Sequence, residues 1–494
     1  MARGATYLFL QGLVSSLAGV VYFAFAARLL PSVADLGRLA TLGMLNALFS
    51  TVGCLALPSA VVKFVSEHMG GGRSGEAGGV FWSSFRAGFV LALGSSLVCF
   101  VGSRPLASYL LGSDEYAALF YLLSVDVFLV VLWPFLQASL QGLQEFGQMA
   151  AIGVANSILR NGVGILALVL GLGLIGVLLG WVLGDLTATV ISALLAFRAF
   201  RDRGPQKLGP MIRYSAPLYV SSLLMYLVGS VDRYLILLLA GQAVLGVYSP
   251  AVTASSVLGI VSGAIGSSLF PLLSEKYGGL GREALGDVSR ISSRYVFLVY
   301  VPLAFGMAAT AYPTMALFVG ERFSEGAMPL AILAVASALA CGGVVVNNVL
   351  LAMGRTSVFS VVSLLSVVSD VALSLLLIGS LGAVGAAIAR TSTILISFVF
   401  PALFLARLLG PHLDLTAFVK SLVASSLMAL AVAGLQLAWS SRYLLPLYVV
   451  VGGLVYLAML RALRALREDD FVLARGFVPA RARGLVDLAH RFLT

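Results

Sequence analysis

Residues 6–27 carry no charged side chain, and similar apolar runs of about twenty residues recur along the chain to residue 463. The runs show neither strand-like alternation nor a one-sided helical stripe. Each is apolar all round, which is the pattern of a helix surrounded by lipid or by other helices. A hydrocarbon core of about 30 Å needs about 20 such residues. On that length the chain predicts fourteen membrane-spanning helices, at 6–28, 38–62, 80–101, 115–139, 148–170, 174–197, 214–240, 245–270, 293–318, 327–353, 356–378, 383–406, 418–437 and 444–463. The first run is too long for the apolar part of a secretory signal and is followed directly by others, so it reads as the first span.

The first twelve spans repeat. Leu36-Gly37 is matched by Leu245-Gly246, Ser66-Glu67 by Ser274-Glu275, and LGLIGV at 172–177 by LGAVGA at 381–386, at a nearly constant separation. Six spans per copy is an even number, so the copies share one orientation, related by an axis along the membrane normal. The expected fold is an all-α polytopic membrane protein: an N-lobe at 1–197, a basic linker at 198–213, a C-lobe at 214–410, two additional helices at 411–463 and an amphipathic tail at 464–494. Two facing six-helix bundles are the plan of an alternating-access transporter.

Composition agrees. Of 494 residues, 60% are hydrophobic and 11% charged, and the mean hydropathy is +1.03. Soluble proteins carry roughly 25% charged residues, so too few are present to coat a soluble surface. The net charge of +10 is a matter of topology. Arg28, Arg38, Arg104, Arg322 and Arg442 fall at one edge of the spans and Arg86, Arg160, Arg233 and Arg390 within them, leaving the remaining 22 of 31 Lys and Arg on the other edge. The positive-inside rule then puts both termini in the cytoplasm, and no nucleic-acid partner is needed. Cys54, Cys99 and Cys341 lie in apolar runs and read as small buried hydrophobes. His68, His412 and His490 are scattered, and GGGRSGEAGG at 70–79 lacks the Lys-Ser/Thr of a phosphate loop. No metal or cofactor site is expected.

Ionisable groups inside spans are the candidate chemistry, because each is costly there unless paired or hydrated. Arg160 and Asp185 are equidistant from the turn near 172, and Asp370 and Arg390 from the turn near 380, so each hairpin carries an acid and a base at matched depth. They are either structural ion pairs or charges that meet a substrate or coupling ion. Asp126 has no evident partner in the sequence. Asp232 and Arg233 are adjacent and point about 100° apart on a helix. Arg28, Arg38 and Arg86 stand near span ends, where arginine snorkels.

VDRYLILLLAGQAVLGVYSPA at 231–251 resembles the seventh and eighth helices of the Wzx-type polysaccharide and oligosaccharide-lipid flippases, a branch of the MOP exporter superfamily. AARLLPSVADLGRLA at 26–40, LQGLQEFGQ at 140–148, LFPLLSEKYG at 269–278 and LLAMGRTS at 350–357 are similar to other turns of that family, in order and over nearly the whole chain. The lipid II flippase branch has a Gly-x-Gly, Asp and Ala-Phe after the first helix, where Leu30-Pro31-Ser32 stands here. Multidrug members of the superfamily share the twelve-helix plan and usually stop there.

The resemblance implies a monomeric cell-membrane flippase that moves a polyprenyl-linked oligosaccharide from the inner to the outer leaflet, with polysaccharide-assembly enzymes as protein partners to look for. It makes Arg28, Arg38, Arg160, Arg233 and Arg390 candidates for phosphate or sugar contacts. Asp126, Asp185, Asp232 and Asp370 become candidates for H⁺ or Na⁺ coupling. A drug/ion antiporter of the same fold is the alternative. An enzyme acting on lipid-linked sugars is disfavoured, because the predicted outer loops near 102–114 and 319–326 leave little room for a folded site.

Overall fold

The structure is a computed structural model, and it describes residues 2–202, 204, 208–439 and 441–465. Among these residues every regular element is a helix. In chain order they are α1 (Ala2–Leu29), α2 (Val33–Cys54), α3 (Leu57–Gly70), α4 (Ser74–Val101), α5 (Ser103–Leu106), α6 (Ala117–Gly142), α7 (Phe146–Val169), α8 (Gly173–Ala199), α9 (Leu208–Leu239), α10 (Gly241–Ala309), α11 (Ala311–Phe318), α12 (Ala327–Leu339), α13 (Gly343–Ala352), α14 (Ser357–Leu409), α15 (Leu415–Ala438) and α16 (Leu445–Ala462). Arg203 and Lys207 of the basic linker, and the arginine-rich tail from residue 466 onward, lie outside the described residues.

Among the described residues, twelve helical stretches are long and apolar enough to cross a membrane. A thirteenth crossing is α2 with α3, bent by 49°. The 53-residue α14 is two arms that reverse at Gly382 (φ 53°, ψ −126°), which supplies the fourteenth. The arms run antiparallel: Ser369 donates to Ser392 at 2.9 Å and Thr393 to the Ser366 carbonyl at 3.4 Å. Leu437 is 90% and Leu376 73% exposed. With no polar shell around them, such residues face lipid, and the protein is a multi-pass membrane protein.

Three expected boundaries differ. The second span, 38–62, is broken at Leu55 (φ 50°) and Ala56 (φ 52°), both left-handed without being glycine. Pro58 restarts the helix as α3, where its missing N–H costs nothing. The tenth span, 327–353, breaks between α12 and α13. The loop expected at 271–292 is helical, although Gly278, Gly279, Gly281 and Gly286 disfavour it there, and α10 runs through it.

The chain packs into two compact units, Met1–Ser249 and Pro250–Thr494. In the first, α6 is the central helix and packs against α2, α3, α4 and α8, while α9 packs on α2 and α3. The start of α10 is tied to α2. A Cβ on Gly37 would stand 1.9 Å from the Gln242 carbonyl, and one on Gly246 would stand 2.1 Å from the Val33 carbonyl. Only glycine admits this backbone approach, so the Leu-Gly motifs shared by the two sequence repeats meet each other. Gln242 fastens the contact, accepting from Thr41 at 3.1 Å and donating to the Leu110 carbonyl at 2.5 Å.

In the second unit a buried apolar core joins α10, α12, α13 and α14. There α15 and α16 pack together and are held to α10. Ser421 donates to the Phe297 carbonyl at 2.8 Å, Tyr456 to the Leu298 carbonyl at 2.8 Å, and Gln436 to the Ala309 carbonyl at 2.8 Å. At one end Arg294 meets Asp414 at 3.6 Å and donates to the Ala465 carbonyl at 2.7 Å.

Candidate functional site

The first unit encloses a cluster of polar side chains in the middle of its apolar helices. It exists because α7 and α8 cross closely. A Cβ on Gly180 would lie 2.7 Å from the Gly164 nitrogen, and one on Gly184 would lie 2.7 Å from the Arg160 Cβ. That crossing lays Arg160 beside Asp185, and the two form an ion pair in which Asp185 is 1% and Arg160 25% exposed. Asn156, one turn earlier on α7, donates to the other Asp185 oxygen at 2.6 Å. The guanidinium lies over Trp181, 4.5 Å from the ring centroid.

Asp126 joins the same cluster from α6. It is fully buried and stands in the field of Arg160 and Asp185. The sequence offers it no partner; the fold supplies Asn46 of α2, whose amide donates to Asp126 Oδ2 at 2.6 Å. Asn46 Oδ1 and Asp126 Oδ1 are left buried with no hydrogen-bond donor. Two carboxyls, two carboxamides and one guanidinium in low dielectric carry one negative charge too many, and two acceptor oxygens are open. That arrangement is suited to a proton or a hard monovalent cation.

A second pairing involves Asp232 of α9, also fully buried. Tyr248 of α10 donates to its Oδ2 at 2.6 Å, and its Oδ1 accepts from the Arg233 backbone at 2.9 Å. The Arg233 side chain points elsewhere. It makes no ion pair among the described residues, its Nε is buried without an acceptor, and its charge acts on Tyr226 and Tyr234. Those two hydroxyls lie 2.6 Å apart and 2.7 and 3.1 Å from the Met44 carbonyl, so one donates to the carbonyl and the other to its neighbour.

Residues 25–328 match the family described as polysaccharide biosynthesis protein. The chain belongs to this family. A curated relative, the probable low-salt glycan biosynthesis flippase Agl15 of Haloferax volcanii, is 25% identical over 263 residues, 53% of this chain and 56% of that protein. The chain thus matches only about half the length of that relative. In fold it is similar to a solved structure of the lipid II flippase MurJ in an inward closed conformation (TM-score 0.70, 14% identity, 92% of this chain and 97% of that one). It is also similar to an inward-facing MATE-family multidrug resistance transporter of the MOP superfamily (TM-score 0.66, 15% identity, 80% and 95%). This all-α plan is therefore one that the family shares with transporters and flippases.

The family match takes in Arg28, Arg38, Asp126, Arg160, Asp185, Asp232 and Arg233 and stops short of Asp370 and Arg390. The structure brings Asp126, Arg160 and Asp185 together. It places Arg38 apart from them, paired with Asp35 at 2.6 Å and 4.4 Å from the Tyr116 ring centroid. Asp35 is also half of a capping box with Ser32 that starts α2. Arg28 is exposed at the end of α1. Asp370 is buried in the first arm of α14, where Ser374 donates to it at 3.2 Å. Arg390 is half-buried in the second arm, at the level set by the Ser369–Ser392 bond. Sequence reasoning missed Asn46 and Asn156. Each is an amide in an otherwise apolar run, and that was the available signal. Among the described residues no three His, Cys, Asp or Glu side chains converge as a metal site.

Proposed function

We propose that the protein flips a polyprenyl-linked oligosaccharide from the cytoplasmic to the outer leaflet of the cell membrane by alternating access, driven by an H⁺ or Na⁺ gradient. The observation that carries this reading is an apolar groove of about 580 Å³ in the second unit, between α10 and the two helices beyond the repeat, α15 and α16. It is lined by Gly306, Gly452 and Gly453 and by Leu303, Val449 and Leu457. The hydroxyls along it are turned inward: Thr310 donates to the Gly306 carbonyl at 2.7 Å and Tyr456 to the Leu298 carbonyl. What remains is a surface for hydrocarbon. A sugar-phosphate head cannot cross a bilayer unaided, whereas an isoprenoid tail can stay within it. A carrier for such a molecule needs an apolar track for the tail, and a small cationic drug does not.

For the head group, Arg233 is the proposed phosphate contact, since Arg160 and Arg38 are already held by carboxylates. For coupling, the proposed cation site is Asp126 and Asp185 with Asn46 and Asn156. Asp232 and Asp370 are both buried and hydrogen-bonded. The curated relative's name, a glycan-biosynthesis flippase, supports the substrate class. The basic edge of the spans supports cytoplasmic termini.

The test is leaflet transfer in liposomes holding this protein alone. A polyprenyl-diphosphate oligosaccharide is compared with a cationic dye, with and without imposed H⁺ and Na⁺ gradients. Transfer of the lipid-linked sugar alone is expected. Movement of the dye alone would replace the flippase by a drug/ion antiporter.

A further inference from the structure

A second cavity, of about 570 Å³, lies in the first unit at the break between α2 and α3. It is lined by Leu57, Val90, Leu91, Ile212 and Tyr219, and by one charged residue, Arg86. Arg86 is exposed on α4, and among the described residues it makes no ion pair. A guanidinium within a span needs an anion or water, and the protein offers this one neither a carboxylate nor a polar wall.

Depth narrows the choice. Fifteen residues separate Arg86 from Val101, the end of α4. That is about 22 Å of helix, which leaves Arg86 about 7 Å inside the far face of a 30 Å core. An arginine stem spans that distance, so the guanidinium reaches the level of lipid phosphates while the cavity beside it reaches into the acyl region. Leu57, at the start of α3, lines the acyl end of the same cavity. Lys63, six residues further along α3, lies 4.5 Å from the ring centroid of Tyr214 on α9 and adds a second positive charge beside the same pair of helices. No acidic residue lines the cavity, so nothing there would receive a choline or ethanolamine group.

We propose that this cavity holds an acidic phospholipid of the cytoplasmic leaflet, its phosphate on Arg86 and an acyl chain between α4 and α9. The lipid braces the bend where two left-handed residues interrupt the second span. This site is separate from the groove beside α16, and the proposal does not depend on the substrate assigned to the protein.

The experiment uses full-length protein in detergent micelles with equal phosphatidylglycerol and phosphatidylcholine, and native mass spectrometry to count retained lipids. One phosphatidylglycerol per protein is expected to outlast phosphatidylcholine. Arg86→Gln is expected to weaken that retention about tenfold, a charge-assisted hydrogen bond's worth. Arg86→Lys should keep part of it, and Arg104→Gln, in α5 just beyond α4, all of it. Leu91→Trp, which keeps the charge and fills the cavity, should also displace the lipid and stands in if Arg86→Gln does not fold. Equal retention of phosphatidylglycerol by wild type, Arg86→Gln and Leu91→Trp would overturn the proposal. So would displacement of phosphatidylglycerol by polyprenyl phosphate at equal concentration, which would make the cavity part of a substrate path.

Discussion

Tyr248 gives its hydroxyl hydrogen to Asp232 across 2.6 Å, and both side chains are fully buried. This bond accounts for a pattern the sequence displays without explaining: an acid near the end of one apolar run and a Leu-Gly-x-Tyr at the start of the next. The short turn at Ala240 folds α10 back on α9, and sixteen residues of separation become one contact. A buried carboxylate that loses one of its donors is left with fewer bonds to offset its desolvation, here the Arg233 N–H among them. Tyr248→Phe is therefore expected to destabilise the protein by about 2 kcal/mol. Asp232→Asn, which can still accept the hydrogen bond, should cost less. Thermal midpoints of the purified variants check the order, and a larger loss for Asp232→Asn would contradict it.

The Arg160–Asp185 pair predicts strong non-additivity. Arg160→Ala strips a buried carboxylate of its cation and should cost about 3–5 kcal/mol. Removing both charges, with Asp185→Ala added, should recover much of the loss. A double variant as unstable as the sum of its parts would mean that Asp185 is held by Asn156 rather than by the ion pair. Transport by the double variant, compared under H⁺ and Na⁺ gradients, then reports separately on coupling.

At Gly37 the limit is steric. Gly37→Ala puts a methyl group where the Gln242 carbonyl now stands, 1.9 Å away. The ends of α2 and α10 must then separate, at a cost of about 1–3 kcal/mol. Gln242→Ala removes the fastening bonds but leaves the backbone contact, so its cost should be smaller. Crosslinking of cysteines placed at Val33 and Val247 would register the separation as a lower yield in Gly37→Ala.

His412, in the turn between α14 and α15, carries a pH prediction. It is 3% exposed, its Nδ1 lies 3.0 Å from the Gly410 carbonyl, and its Nε2 has no partner. Burial pushes its pKa below the ordinary 6.5. The unfolded chain therefore binds the proton first as pH falls. Stability should be unaffected above 6.5, decline as pH drops below it, and level off once the folded protein also takes up the proton. Thermal midpoints measured downward from neutral pH should slope less in His412→Gln than in wild type; parallel curves would remove His412 as the cause.

Length and apolarity of the runs were enough to read fourteen crossings from the chain, because hydrocarbon demands that each crossing satisfy its own backbone. The matched depths of Arg160 and Asp185 about one turn were equally legible, since an antiparallel hairpin has only one register. The partner of Asp126 was not, because Asn46 lies eighty residues away and nothing local connects them. The breaks at Leu55 and Ala340 carried a signal that length and apolarity alone pass over: Pro58 follows the first and Gly342-Gly343 the second. The first packing unit also takes in α9, a helix that the repeat assigns to the second copy. Sequence therefore determined what each segment had to be in a membrane, a local matter of solvent and hydrogen bonds. Only the tertiary structure decided which polar groups met, because in an apolar surround a buried charge settles wherever packing brings it a donor.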